Sequence, residues 1–357
     1  MALPLADGVR RVKSASGANG HCGGSALRRK HGRMKWKTLL SVALLAIVPA
    51  SAVVFADNVA NGVATKSQVP ARAKPTLRSN GNVLMRLERA RPGLWLLSDQ
   101  DTKIWLFGTV HVLPEHTKWR SRVLDQAMAE SQELVLEIAP DKMKDGSAGV
   151  AMLQLGVSDG LPPIRARVPV DKQQMLVSMI GQSKLPEALF DRLESWAAGF
   201  TLVGVQFAQL GLVSGSGVED ALAMRFQQAG KPIAGLETPI EQLGYFDGLS
   251  EDSQRMFLAS MLEDPTELRG EFDAMLAAWA RGDERAIMAS FDEEANLTAE
   301  LRTVLLNKRN ARWADWLAKR MDKPGTVMVA VGAGHLAGPQ SVQAMLQQRG
   351  LATKRVQ

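Results

Sequence analysis

The chain has 357 residues, 43 Lys+Arg against 37 Asp+Glu, one cysteine and a formal net charge of +6. Its length provides ample chain for a sizeable core, and 46% hydrophobic with 22% charged residues excludes a disordered or fibrous polypeptide. One cysteine excludes both a disulfide framework and a zinc-type cysteine cluster.

The basic excess is concentrated at the start. From Met34 the chain reads MKWKTLLSVALLAIVPASAVVFAD. Lys35 and Lys37 precede an apolar run over 39–48, Pro49 breaks it, and Ala50-Ser51-Ala52 and Val54-Phe55-Ala56 are small-residue cleavage sites. That is the layout of a secretory signal peptide, and residues 1–33 read as an extended n-region or as an upstream start, with Met34 favoured as the true initiator. The competing reading is an uncleaved inner-membrane anchor, since 38–56 spans 19 residues. Pro49, the small residues and the missing stop-transfer charges favour cleavage. Membrane contact is expected only if this leader is retained.

Residues 1–56 hold nine of the basic residues and one acid, Asp7, which leaves 34 basic and 36 acidic residues in 57–357, a net charge of −2. A basic nucleic-acid binder therefore loses its support. Cys22 lies in the leader, so the remainder is cysteine-free and suits an oxidising periplasm.

Residues 57–85, polar with Pro70 and Pro75, read as a flexible linker, and 86–357 as a single domain. Short apolar runs alternate with long amphipathic stretches, which predicts an α/β class with a central mixed sheet flanked by helices. The strands are expected at 94–98, 104–108, 133–138, 164–170, 233–236 and 326–332, the first two joined as a hairpin through Asp99–Thr102. Helices are expected at 119–131, 186–211, 217–228, 253–262, 265–279, 284–291, 297–321 and 339–348. The last closes at Gly350.

The commoner catalytic motifs are missing. Gly332-Ala333-Gly334 follows a strand, but the next glycine, Gly338, is one residue too late for a dinucleotide loop. There is no P-loop, no H-E-x-x-H and no nucleophile elbow, so no nucleotide cofactor is expected.

What remains is a matched pair. Residues 57–357 contain three histidines, and two end the same phrase, Gly108-Thr109-Val110-His111 and Gly332-Ala333-Gly334-His335, each after an apolar strand. A glycine at a strand end permits a tight turn and projects the histidine at the carboxyl edge of the sheet, where open α/β sheets place ligands. For a single such phrase a core imidazole is the better reading; for the pair a functional one is. Glu137 and Glu237 each end an apolar strand and need a cation, a metal or an imidazole as partner. Glu237 also reads as part of the N-terminus of the helix opened by Thr238-Pro239. Glu219 and Asp220 read as first-turn acids complementing a helix dipole. On the helix 297–321, Asn310 falls on the apolar stripe with Leu306, Trp313 and Leu317, and Arg309 is adjacent on the neighbouring face. The two read either as a buried amide with a surface arginine or as a pair that neutralises carboxylates or an oxyanion. His116 reads as solvated.

On Trp105–Pro114, Leu134–Ile138, Gly235–Thr238, Lys308–Asn310 and Val331–Gly338, in that order, the chain resembles the TraB/PrgY/GumN family, whose animal relatives are the Tiki metalloproteases. With its leader, it is most similar to the exported GumN branch. The resemblance implies two related halves, each contributing one G-x-x-H, and a peptidase dependent on a divalent metal, Mn²⁺ or Co²⁺. It implies site roles for His111, His335, Glu137, Glu237, Arg309 and Asn310, with His111, His335 and Glu137 as metal ligands. Where the family has Gly-Val-Asp, this chain has Gly217-Val218-Glu219-Asp220, leaving open which acid fills the position. Two functions are expected to compete: a periplasmic hydrolase of peptide bonds using a metal or an activated water, and a non-catalytic exported protein that binds a peptide or a polysaccharide precursor.

Overall fold

The computed structural model describes residues 90–357 apart from 115–116, 210–216, 263 and 293–298. The expected leader and linker, His116, and the expected helix ends at Gly211 and Leu297 lie outside the described residues.

Six strands make one mixed sheet: β1 Leu94–Ser98, β2 Thr102–Thr109, β3 Glu133–Ile138, β4 Ile233–Glu237, β5 Gly325–Gly332 and β6 Lys354–Arg355, in the order β4-β3-β5-β2-β1-β6. The expected hairpin is present, with β1 antiparallel to β2. Its turn is set by Asp99, whose carboxylate accepts from the backbone N–H of Asp101 at 3.1 Å and of Thr102 at 2.8 Å. β2, β3, β4 and β5 run parallel, so their carboxyl ends share one edge.

Both faces of the sheet are covered, which explains why its central strands read as continuous apolar runs. Trp105, Phe107, Leu134, Leu136, Met328 and Ala330 enter the larger core, beneath helices that include Ser195–Gln209 and Pro265–Ala280. Ile104, Leu106, Val135, Val327, Val329 and Val331 face the opposite way, onto Trp313, Ala314 and Leu317 of the helix Lys308–Met321. By the same alternation, Glu137 falls on the face of Val135, beneath that helix. Among the described residues no helix is long and apolar enough to cross a membrane.

Three expected elements differ. The segment 164–170 is not a strand but two 3₁₀ turns, Ile164–Arg167 and Val170–Lys172. Pro162, Pro163 and Pro169 remove backbone donors, and the buried Arg167 donates instead to the carbonyls of Pro162, Leu193 and Asp191. The helix expected at 186–211 is interrupted: Glu187–Arg192 ends at Leu193, which is extended and bridges Val157, before Ser195–Gln209 begins. The helix expected from 297 widens into a π turn, Thr303–Asn307, between Ala299–Arg302 and Lys308–Met321. A π turn rotates the residues after it relative to those before it, and Arg309 is the second residue of the helix that follows.

Candidate functional site

Four strand ends deliver the site. β2 and β5 are neighbours, paired Gly108 with Val331 and Thr109 with Gly332, so the two G-x-x-H phrases leave the sheet side by side. Their approach is close: a Cβ added to Gly108 would come 3.3 Å from Ala333. β3 and β4 bring Glu137 and Glu237 to the same edge.

At the centre lies Arg309, only 1% exposed, so the reading of a surface arginine on a neighbouring face does not hold. Arg309 shares the buried face of the helix Lys308–Met321 with Asn310, Trp313 and Leu317. Its Nη2 donates to Glu137 Oε2 at 2.5 Å and Glu237 Oε2 at 2.9 Å, and its Nε to Glu237 Oε1 at 3.0 Å. Its Nη1 lies 3.2 Å from His335 Nε2, and the guanidinium stacks 4.7 Å from the Trp313 ring. Two buried carboxylates share one cation, and each is hydrogen-bonded to it. Burial, the largest influence on Glu137, acts to raise its pKa; Arg309 foremost, with the Gly332 N–H at 2.8 Å, brings it down to about 2. Arg309 itself is held protonated: burial opposes the charge, and Glu137 and Glu237 outweigh it.

Glu237 is therefore not simply a helix-terminus acid. Thr238 caps the next helix, accepting from Glu241 N–H while the Glu241 carboxylate accepts from Thr238 N–H at 2.7 Å. Glu237 Oε1 accepts further from Arg312 at 2.9 Å and from the Trp313 indole N–H at 3.1 Å.

His335 is neutral. Burial first, then the Arg309 charge, lower its pKa to about 3, against an opposing pull from Glu137. Asn310 Nδ2 donates to Gln340 O at 2.7 Å, which turns Oδ1 toward His335 Nδ1 at 2.6 Å. The amide orientation places the imidazole proton on Nδ1 and a lone pair on Nε2, facing Arg309.

His111 stands apart and is more accessible, its side chain 25% exposed and its Nδ1 3.1 Å from Glu219 Oε1. When protonated, it lowers the pKa of both Glu137 and His335. The Glu219 pKa lies below the usual carboxylate value: burial would raise it, and His111 prevails. Its neighbour Asp220 does something else, accepting from Gly217 N–H at 3.2 Å to cap the helix Val218–Gln228. The two acids of this phrase are thus separated: Glu219 goes to the histidine and Asp220 to the helix end. The approach there is also close, since a Cβ on Gly217 would meet the His111 carbonyl oxygen at 2.5 Å.

Glu137, Glu237, Arg309, Asn310 and His335 thus form one buried cluster, with the His111–Glu219 pair beside it at the same edge. Among the described residues no group of three or more His, Cys, Asp or Glu side chains is arranged to hold a metal ion. Of the three donors expected to ligate a metal, Glu137 and His335 are engaged with Arg309, Glu137 also with the Gly332 N–H, and His111 lies against Glu219, so in this arrangement they do not fit one. Arg309 and Asn310 likewise direct their donors to protein acceptors.

Sequence reasoning missed Gln242, buried at 1% and donating to Glu137 Oε2 at 3.0 Å. Nothing local separates it from the surface glutamines of an amphipathic helix. Arg312 and Tyr245, stacked with 5.6 Å between the guanidinium and the ring, were equally silent.

The fold and site define an α/β protein with a parallel-strand edge carrying a buried arginine–carboxylate–histidine centre. The chain belongs to the TraB/PrgY/gumN family, which matches residues 93–355. It is 21% identical to an uncharacterized protein of Treponema pallidum (strain Nichols) over 72% of this chain and 80% of the relative. It is 25% identical to the uncharacterized protein YbaP of Escherichia coli (strain K12), over 58% of this chain and 79% of the relative. The protein of that name from Shigella flexneri is similar to the same extent. No solved structure matches the chain significantly.

Proposed function

We propose that this chain is an exported hydrolase of peptide bonds, acting at the carboxyl edge of its sheet with His111 as general base. One observation carries the reading: Glu219 Oε1 lies 3.1 Å from Nδ1 of His111, whose side chain is partly exposed. A carboxylate on Nδ1 fixes the ring and its tautomer and leaves Nε2 as the nitrogen that takes a proton. In the reaction, Nε2 removes a proton from water as the oxygen attacks the scissile carbonyl, then returns it to the departing amine. The substrate class rests on the family resemblance, and the periplasmic location on the leader-like segment from Met34 to Ala56.

The test is a peptide-library screen with the purified full-length chain, run with Mn²⁺, with Co²⁺ and with chelator. His111→Ala and Glu219→Gln serve as controls, and the chain recovered from periplasm is sequenced at its N-terminus. Cleavage abolished by both substitutions is the expected result. No cleavage under any condition overturns the hydrolase and leaves the alternative, a protein that captures a peptide or polysaccharide precursor at the same edge.

A further inference from the structure

The family resemblance brings a divalent metal to His111, His335 and Glu137, of which His335 and Glu137 here contact Arg309, and at those two the geometry makes the two cations mutually exclusive. His335 presents its Nε2 lone pair to Arg309 Nη1 at 3.2 Å, its Nδ1 being committed to Asn310. A metal bound to that lone pair would sit about 2.0–2.1 Å from Nε2, in space that Arg309 Nη1, 3.2 Å from the same nitrogen, already crowds. Glu137 is equally engaged, Oε2 with Arg309 and Gln242, Oε1 with the Gly332 N–H. Glu237 directs both oxygens to Arg309, and one also to Arg312 and Trp313.

Charge leads to the same result. Two arginines already balance Glu137 and Glu237, and a divalent ion added to a buried, neutralised cluster would have no counter-charge. Without the Arg309 guanidinium, two buried carboxylates and a neutral imidazole with its lone pair directed inward would face a vacated volume. That is a donor set for a hard-to-intermediate divalent ion.

We propose that Arg309 is the resident cation of this centre: it occupies the position a metal would take between Glu137, Glu237 and His335, and removing it opens a three-ligand metal site. The inference is independent of whether the chain hydrolyses peptides, because its readout is metal content.

The experiment equilibrates the full-length chain with Mn²⁺, Co²⁺ or Zn²⁺, removes free ion by desalting, and measures metal per chain together with the Co²⁺ visible spectrum. Wild type is expected to retain no more metal than a chelator-treated control and to show no shift in Tm with added ion. Arg309→Ala is expected to retain up to one ion per chain, to show a Co²⁺ absorption band, and to gain Tm on metal addition. Arg309→Ser serves if the alanine variant fails to fold without metal, and metal-dependent folding of either supports the proposal. Stoichiometric metal in wild type, lost in Glu137→Gln or His335→Ala, overturns it. Folded Arg309 variants that take no metal also overturn it, because the guanidinium is then not what occupies the site.

Discussion

His335 Nδ1 lies 2.6 Å from Asn310 Oδ1, and the Asn310 amide is itself anchored to the Gln340 carbonyl at 2.7 Å. The pair fixes which imidazole nitrogen carries the proton. Nitrogen-15 NMR at neutral pH should show His335 protonated on Nδ1 and bare on Nε2; the opposite tautomer would contradict the arrangement. Asn310→Leu strands the buried Nδ1–H and should cost about 1–3 kcal/mol in chemical denaturation. Asn310→Asp should instead raise the His335 pKa through its charge.

Acid should destabilise the fold in two stages. The folded His335 pKa, about 3, lies below its ordinary 6.5, so the unfolded chain binds the proton first and stability falls as pH drops from 6.5 toward 3. Glu137 is depressed from 4.5 to about 2, so its contribution is present above 4.5 and is lost as pH falls toward 2. Both act with the same sign. A Tm profile should decline below pH 6.5 and steepen below 4.5, and His335→Gln, if folded, should remove the upper stage. A flat profile from 6.5 to 4.5 would contradict a buried neutral His335.

Glu237 and Arg312 form one ion pair seen from two environments, with side-chain exposures of 0% and 45%. Glu237→Gln removes a counter-charge from the buried Arg309 and should cost about 3–5 kcal/mol. Arg312→Ala breaks a solvent-screened contact and should cost about 0–1 kcal/mol. Urea titrations of the two variants decide it, and comparable losses would contradict the burial of the centre.

Glu219 and Asp220 should separate function from stability. Glu219→Gln should lower any peptide-cleaving kcat by about 10²–10⁴-fold while the fold persists. Asp220→Ala should leave turnover nearly intact and cost about 0.5–2 kcal/mol of stability, as the loss of a helix cap does. The reverse pattern would assign the general-base partner to Asp220.

Gly217 is required by close approach rather than by its backbone angles, for its φ is −80°. An added Cβ would meet the His111 carbonyl oxygen at 2.5 Å and Glu219 Oε2 at 2.8 Å. Gly217→Ala should push the start of the helix Val218–Gln228 off the His111 loop, costing about 1–3 kcal/mol and weakening the His111–Glu219 pair. Activity and Tm falling together would register this; an unchanged Tm would not fit the contact.

Much of this architecture is local and therefore legible in the chain. Five of the six strands follow from apolar runs bounded by Gly, Pro or Asp, and the sixth, Lys354–Arg355, is too short to leave a pattern. The segment 164–170 has a strand's composition. Its prolines, together with a buried arginine that takes up the carbonyls of Leu193 and Asp191, turn it into 3₁₀ structure.

By itself the sequence determined the α/β class, the two matched histidine phrases, the strand-end acids and the oddity of Asn310 on an apolar stripe. All are short-range features, written within one turn or one strand. Tertiary structure alone decided that Arg309 is buried, that it joins Glu137 and Glu237 across 172 and 72 residues of chain, and that Glu219 rather than Asp220 meets His111. The reason is physical. Strand order and the packing of one helix on the sheet select ion-pair partners by position in space, whereas sequence periodicity reports only which face of its own element a residue occupies.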